Sequence, residues 1–233
     1  MKTEYFIIIS MNVAVKAKRL LLCGVLILSI FWPQLAYSGT NFKVLQSNLI
    51  RDHSGFLHIV GEVINKSDEP KKAITVSASL YDNQGNVMGE FKNIIPVRSL
   101  NIGKSSPFDI ILLDRNMGNE ISNYTLTFLG TPSESKKSAL SVLSLNSRPD
   151  ILGFYYINGQ VFNHGLESAT NSLVIASFYD KNGKILAVTS AMTEPANLSS
   201  TSRASFGIVM NDKSQVAKVA NYSILVDSDQ YIS

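Results

Sequence analysis

The sequence predicts an all-β protein of two tandem immunoglobulin-like β-sandwich domains preceded by a signal peptide. Three observations predict this class. A basic and then apolar segment lies near the N-terminus, the remaining chain repeats itself after 98 residues without a gap, and each repeat alternates short apolar runs with turn residues. The predicted boundaries are residues 1–38 for the signal peptide, 39–133 for the first domain and 134–233 for the second.

The N-terminal segment has the three parts of a secretory signal. Basic side chains within residues 16–19 precede an apolar run over residues 20–31, and Ala36 and Ser38 suit the small-residue positions before a cleavage site. The run of 12 residues is shorter than the roughly 20 that cross a bilayer. We expect cleavage after Ser38, a secreted or extracytoplasmic location, and no stable membrane span in the mature chain. The alternative is a signal that is kept as an anchor.

The charge and cysteine content of the mature part exclude several classes of function. Residues 1–38 hold four basic and one acidic side chain, which leaves 17 of each in the rest of the chain. A neutral surface lacks the basic stripe that binds nucleic acid, so we exclude that partner. The only cysteine, Cys23, lies in the apolar run, so the mature domains contain no disulfide or thiolate site.

The repeat indicates a duplicated domain. Identical residues at the offset of 98 include Phe56 and Phe154, Gly61 and Gly159, Asn65 and Asn163, Tyr81 and Tyr179, Phe108 and Phe206, and Tyr124 and Tyr222. Residues 130–138, a polar stretch with Pro132, read as the linker between the copies.

Each copy reads as strands with one buried and one freer face. Ile59, Gly61 and Val63 recur identically in the second copy, whereas His58 and Val60 on the other face do not. We therefore expect the first set in the core. The predicted strands cover residues 58–64, 74–80, 87–95, 107–112 and 124–129, with second-copy equivalents that include 185–192, 205–210 and 222–226.

Two matching loops begin with an aspartate and end with a glycine, at residues 82–85 and 180–183. An aspartate in this position bonds to backbone N–H groups two residues on, and glycine accepts a positive φ. The loops offer fewer oxygen ligands than calcium prefers, so we predict turns at Asp82 and Asp180.

The chain resembles the FxLYD domain family of exported bacterial and archaeal proteins. The segments that carry the resemblance are residues 56–65, 79–82 with Gly85, and 103–108 in the first copy, and 159–163 and 178–180 with Gly183 in the second. The resemblance implies an extracytoplasmic immunoglobulin-like fold and brings no catalytic residues with it.

The mature chain is poor in catalytic groups. Its histidines, His53, His58 and His164, do not recur between the copies and lack a helpful spacing of carboxylates, so we expect plain surface side chains. There is no nucleophile elbow, phosphate loop or zinc-protease motif. We predict that the protein is not an enzyme, and that it has no catalytic residue, no cofactor and no metal-binding residue.

Two further sets of residues are candidates for modification or contact. Sequons place candidate glycosylation sites at Asn65, Asn123, Asn197 and Asn221, although asparagine-rich turns in a Ser/Thr-rich chain also generate sequons by chance. Tyr155 and Tyr156 have no tyrosine counterparts in the first copy, so we predict them as candidate partner contacts; cross-strand pairing is the alternative.

These observations predict a non-enzymatic binding or structural module of the cell envelope or extracellular space, which contacts an unknown protein or polysaccharide. The alternative is an envelope metal-handling protein for copper or zinc. That protein would use the histidines with Met88, Met117, Met192 and Met210.

Overall fold

The computed structural model describes residues 41–115 and 117–233, so the predicted signal peptide lies outside the described residues. These residues are nearly all β, with 60% strand and 3% helix, as the sequence predicts. In the part of the chain that the structure describes, no helix is long and apolar enough to span a bilayer.

The first copy is a sandwich of two antiparallel sheets. One sheet has the strand order β1-β2-β6, and in the other β3 lies between β4 and β7 and also pairs with β5. Its strands are β1 (Phe42–Arg51), β2 (Leu57–Asn65), β3 (Lys71–Tyr81), β4 (Val87–Ile94), β5 (Ser99–Leu100), β6 (Ser105–Leu112) and β7 (Asn123–Pro132). A 3₁₀ turn, Met117–Asn119, precedes β7.

The second copy repeats this arrangement. One sheet has the order β9-β10-β13 and the other has the order β12-β11-β14-β15-β8. Its elements are β8 (Lys137–Ser138), β9 (Leu140–Pro149), β10 (Tyr155–Asn163), β11 (Leu173–Tyr179), β12 (Ile185–Met192), β13 (Arg203–Met210), α1 (Lys213–Val216), β14 (Asn221–Asp227) and β15 (Tyr231–Ile232). β9, β10, β12 and β13 begin and end 98 residues after β1, β2, β4 and β6, so the sequence repeat is also a structural repeat.

A glycine and a phenylalanine recur in both cores because the phenylalanine ring packs directly on the glycine backbone. A Cβ at Gly61 would lie 2.6 Å from the main-chain oxygen of Gln46 and 2.3 Å from the ring of Phe108. The matching Gly159 would meet Phe206 at 2.7 Å in the same way. Either glycine therefore excludes any larger residue, which accounts for their identity at the offset.

The segment between the copies is tied to the first sandwich. Ser133 Oγ lies 2.7 Å from Ser99 Oγ, and the side chain of Asn101 bonds to both the N–H and the carbonyl of Lys136. β8 then joins the second copy through parallel pairing with β15.

Candidate binding face

The outer face of the β1-β2-β6 sheet is covered by the second sandwich. Val60 points away from the first core, on the side opposite Ile59, yet it is only 1% exposed. It shares a cleft with Ile50 and with residues 187–189 of β12. We call this the covered face. The expectation that this side of β2 is the freer one is therefore wrong for the first copy, because the second copy packs on it.

Polar side chains of the covered face bond to the second sandwich. Gln46 Oε1 accepts a hydrogen bond from the Ile185 N–H at 3.1 Å, and Asn48 Nδ2 donates to the Ile185 carbonyl at 3.0 Å. The hydroxyl of Tyr179 donates to Glu62 Oε1 at 2.7 Å. Because polar groups in a contact need partners, these bonds set the register of the two sandwiches.

Apolar side chains complete the contact. Ile175 is 1% exposed and belongs to the hydrophobic cluster of the first sandwich, whereas its neighbours Val174 and Ala176 belong to the second core. The partly buried residues of the second copy that pack on the first cluster are Leu173, Val188 and Leu225. One face of β11 thus serves each sandwich.

A buried ion cluster joins the copies at the end of β14. The side chain of Asp227 is 0% exposed and accepts from Lys136 Nζ at 2.6 Å and from Arg98 Nη1 at 3.2 Å. Arg98 also pairs with the partly exposed Asp229 at 3.0 Å. Two cations surround one fully buried carboxylate, so loss of that carboxylate would leave both cations poorly compensated.

The matching face of the second copy, on the β9-β10-β13 sheet, is open to solvent, and we call it the open face. Asn158 stands where the first copy has the buried Val60, and it is exposed. Asn146 matches Asn48 and is also exposed. Asn146, Asn158 and Gln160 bond to no other side chain or backbone group through their side chains, as far as the described residues extend. Their amides are available to a ligand, whereas the counterparts Asn48 and Glu62 bind the second sandwich.

The open face also differs in charge from the covered face. Two carboxylates are lost and two guanidinium groups are gained at matching positions. The four exchanges, first copy to second, are Glu62 to Gln160, Asp109 to Gly207, Ile50 to Arg148 and Ser105 to Arg203. The open face is therefore cationic where the covered face is acidic.

Aromatic rings lie at both ends of β10 on the open face. The rings of Phe154 and Tyr156 are 6.3 Å apart, and Lys213 Nζ lies 5.5 Å from the Phe154 centroid. At the other end, the Arg203 guanidinium lies 5.9 Å from the centroid of Phe162. Each aromatic group is thus accompanied by a cation.

The two tyrosines predicted as partner contacts lie on opposite sides of β10. Tyr155 shares the inward side of β10 with Ile157, and its ring packs edge-on against Phe178 at 5.7 Å and Tyr222 at 6.4 Å. The structure therefore gives the half-buried Tyr155 a packing role on the core, and a partner contact at Tyr155 stays a prediction. Tyr156 lies on the open face and is half-buried.

The sequons fall into two groups. Asn65 is fully buried, and its amide donates to the carbonyls of Glu69 and Leu100. Asn163 makes the same bonds in the second copy without being a sequon. The prediction of a glycan on Asn65 is therefore incompatible with this fold, because its nitrogen is used to hold loops.

The other candidate acceptors lie nearer to solvent. Asn197 and Asn221 are exposed, and Asn123 is half-buried. Each accepts a backbone N–H through Oδ1, from Asn171, Tyr222 and Tyr124 respectively. Glycosylation at these three positions stays a prediction.

His58 is not the plain surface residue that the sequence led us to expect. It lies in a cleft of about 140 Å³ between the sandwiches, and its side chain is 17% exposed. Nδ1 is 3.0 Å from both carboxylate oxygens of Asp109, and Nε2 is 3.6 Å from Asp52. The hydrogen bond to Asp109 raises the pKa of His58 above its ordinary value, against the opposing effect of burial. His53 and His164 are exposed.

The groups invoked for metal handling are dispersed. Met210 is buried in the second core, Met88 and Met117 pack on the first, and Met192 is exposed. Over residues 41–115 and 117–233, no three His, Cys, Asp or Glu side chains are grouped so as to hold a metal ion.

The two aspartate loops are turns, as predicted. Asp82 Oδ1 accepts the N–H groups of Gln84 and Asn86 at 2.8 Å. Asp180 accepts those of Asn182 and Lys184 at 2.8 and 2.9 Å. The carboxylates are thus used by the turns themselves.

Comparisons with known proteins assign this chain to no family. No protein-family model and no curated protein matches it, so the resemblance to the FxLYD family stays a prediction. The class that the fold defines is an all-β protein built from β-sandwich sheets.

The solved structures to which the chain is similar are much longer enzymes. The chain is 11% identical to red sea bream transglutaminase, with a TM-score of 0.27. The matched region covers 81% of this chain and 30% of the transglutaminase chain. Amycolatopsis orientalis exo-chitosanase is 13% identical, with a TM-score of 0.29, and the match covers 80% of this chain and 26% of the exo-chitosanase. A putative beta-galactosidase from Bacteroides fragilis is 10% identical, with a TM-score of 0.27, and the match covers 80% of this chain and 32% of that protein. The chain spans about a third or less of the length of each.

Proposed function

We propose that this protein is an exported, non-enzymatic binding module whose ligand face is the open face of the second sandwich. The observation that carries the proposal is the contrast at matching positions. Asn48 and Glu62 of the first copy bind the second sandwich, whereas Asn146 and Gln160 keep their side chains free. A face that is a binding surface in one copy is unoccupied in the other.

The packing of the two sandwiches supports a role as a firm base for that face. Residues 41–115 and 117–233 belong to one compact unit, and the contact between the copies includes apolar residues, hydrogen bonds and the buried ion cluster. A ligand on the open face therefore meets a preorganised sheet, which lowers the entropic cost of binding.

The aromatic side chains supply the anchors. Tyr156 and Phe162 are half-buried on an otherwise polar face, where an aromatic ring offers apolar area with few rotatable bonds. The first copy has His58 and Ile64 at these positions, so the chain itself provides the substitutions that remove the anchors.

The proposal is tested with arrays of envelope polysaccharides and proteins probed with the purified protein. We expect a ligand that Tyr156→His with Phe162→Ile weakens at least tenfold, because the anchors are removed while the sheet is kept. Thr127→Ala, on the other exposed sheet surface, is the matched control and should leave binding within twofold. Equal binding by all three proteins, or turnover of a substrate by the purified protein, would contradict the proposal.

The location outside the cytoplasm is part of the same proposal. The predicted cleavage after Ser38 means that the exported protein begins at Gly39, and intact mass spectrometry tests it. A mass that includes the apolar run would indicate a retained anchor instead.

A further inference from the structure

We infer that the ligand of the open face is a linear polysaccharide that carries carboxylate groups. This inference rests on the proposed function and adds the chemical class of the ligand. It is argued from charge, from the free amides and from the spacing of the aromatic rings.

The charge of the open face favours an anion. Arg148, Arg203 and Lys213 are exposed, and none of them forms an ion pair with any residue in the described part of the chain. Unpaired guanidinium groups bind carboxylates through two parallel hydrogen bonds, which neutral ligands do not offer. The exchange of Glu62 and Asp109 for neutral residues removes the groups that would repel such a ligand.

The amides between the cations favour hydroxyl groups. Asn146, Asn158 and Gln160 each offer donors and an acceptor, and a sugar hydroxyl also both donates and accepts. The carboxylates of an acidic peptide only accept, so its side chains offer no donor to the amide oxygens of this row and only its backbone N–H groups could supply one. The mixture of free amides and cations therefore fits an acidic glycan better than an acidic protein segment.

The length and shape of the face favour an extended chain. Tyr156 and Phe162 are six residues apart on one strand, which corresponds to about 20 Å. Asn158 and Gln160 lie between them on the same face, and Gly207 of β13 is opposite Asn158, so a polar stretch has an aromatic ring at each end. The C–H faces of sugar rings are apolar and pack on such rings, and several linked sugars would span the distance.

The test compares three polymers with the purified protein by affinity electrophoresis and calorimetry. Polygalacturonate is the acidic polysaccharide, dextran the neutral one, and polyglutamate the acidic polypeptide. We expect polygalacturonate to bind at least tenfold more tightly than the other two. Its binding should weaken as salt is raised, because the guanidinium contacts are exposed.

Variants taken from the first copy locate the site. Arg148→Ile with Arg203→Ser introduces the residue types that the first copy has at Ile50 and Ser105. We expect this double variant to bind polygalacturonate at least tenfold more weakly. Lys92→Ser with Lys104→Ser removes the same charge from the first sandwich, also by using the residues of the other copy, and should change binding less than twofold. All four side chains are exposed, so circular dichroism should show an unchanged fold.

The outcomes separate this inference from the proposed function. Dextran or polyglutamate bound as tightly as polygalacturonate, with loss of binding in Tyr156→His with Phe162→Ile, would overturn the acidic-polysaccharide assignment and leave the open face as a binding site. Equal loss in the two double variants would mean attraction by net charge alone and would also overturn it. No binding of any polymer or array ligand to this face would overturn both.

Discussion

The covered face and the open face have the same strands, the same register and different surroundings. In the first copy this face holds Val60 and Ile50 and packs on the second sandwich. In the second copy it holds Asn158 and Arg148 and meets solvent. The two copies have thus diverged where their surroundings differ, while the core positions that share an environment, such as Gly61 and Gly159, have stayed identical.

The opposite side of the contact shows the same divergence. Apolar residues of the second copy meet the first sandwich, and their first-copy counterparts on the outer side of the β4-β3-β7 sheet are polar. The matched pairs are Leu173 and Thr75, Ile175 and Ser77, Val188 and Glu90, and Leu225 and Thr127. The apolar side of the contact is therefore built by residues of the second copy that have polar counterparts in the first.

The largest expected effect comes from the buried carboxylate of the contact. Asp227→Leu, the residue of the first copy at Leu129, should reduce the free energy of unfolding by about 3–5 kcal/mol, because Arg98 and Lys136 lose a fully buried partner. Denaturant unfolding measures the change. Asp229→Thr removes a partly exposed partner of Arg98 and should cost about 1 kcal/mol or less. Equal effects would mean that the cluster does not hold the copies together.

The apolar part of the contact should be next in size. Ile175→Ser, the counterpart of Ser77, should cost about 2–5 kcal/mol, since a fully buried aliphatic side chain is lost. The reverse exchange, Ser77→Ile, lies on the outer β4-β3-β7 face, which the other sandwich does not cover and where Ser77 is 8% exposed, and it should change stability by about 1 kcal/mol or less. Denaturant unfolding of both variants checks this, and a larger cost for Ser77→Ile would contradict the assignment of the faces.

Cleavage of the linker gives an independent test of the same contact. A protease that cuts at the exposed Glu134 or Ser135 should leave two fragments that co-elute on size exclusion, because the contact survives the cut. In Ile175→Ser the fragments should separate. Separation of the wild-type fragments would instead support two independent domains.

The sequence predicted the fold well because alternation and the repeat report on the core of each copy. It could not predict the contact between copies, since a face that differs between repeats reads as free surface. The signal was nevertheless present: Leu173, Ile175 and Leu225 are apolar on the side of β11 and β14 opposite the core, in one copy only. Likewise, the shared parity of Tyr155 with Ile157 and Val161 would have assigned it to the core.

A gain of stability is expected where the second copy lacks a glycine. Thr201 has a φ of 58°, and its counterpart Gly103 has a φ of 70°. A β-branched residue is strained in this left-handed region by about 1–2 kcal/mol, so Thr201→Gly should stabilise the fold by about 1 kcal/mol. Gly103→Thr should destabilise it by a similar amount. Thermal unfolding of both variants tests the pair, and a loss of stability in Thr201→Gly would show that the Thr201 side chain contributes more than the strain costs.

The smallest expected effect depends on pH and belongs to the covered face alone. The hydrogen bond to Asp109 raises the pKa of His58, so the folded protein favours its protonated form. This contribution to stability is complete below the ordinary histidine pKa of about 6.5 and is lost as the pH rises through the higher value of the folded state. Unfolding free energies measured from acidic to mildly alkaline pH should therefore decline more for the wild type than for His58→Gln. His164→Gln removes a histidine of the second sandwich and should keep the wild-type profile. Parallel profiles for the wild type and His58→Gln would show that the bonds of His58 to Asp109 and Asp52 do not contribute to the free energy of unfolding.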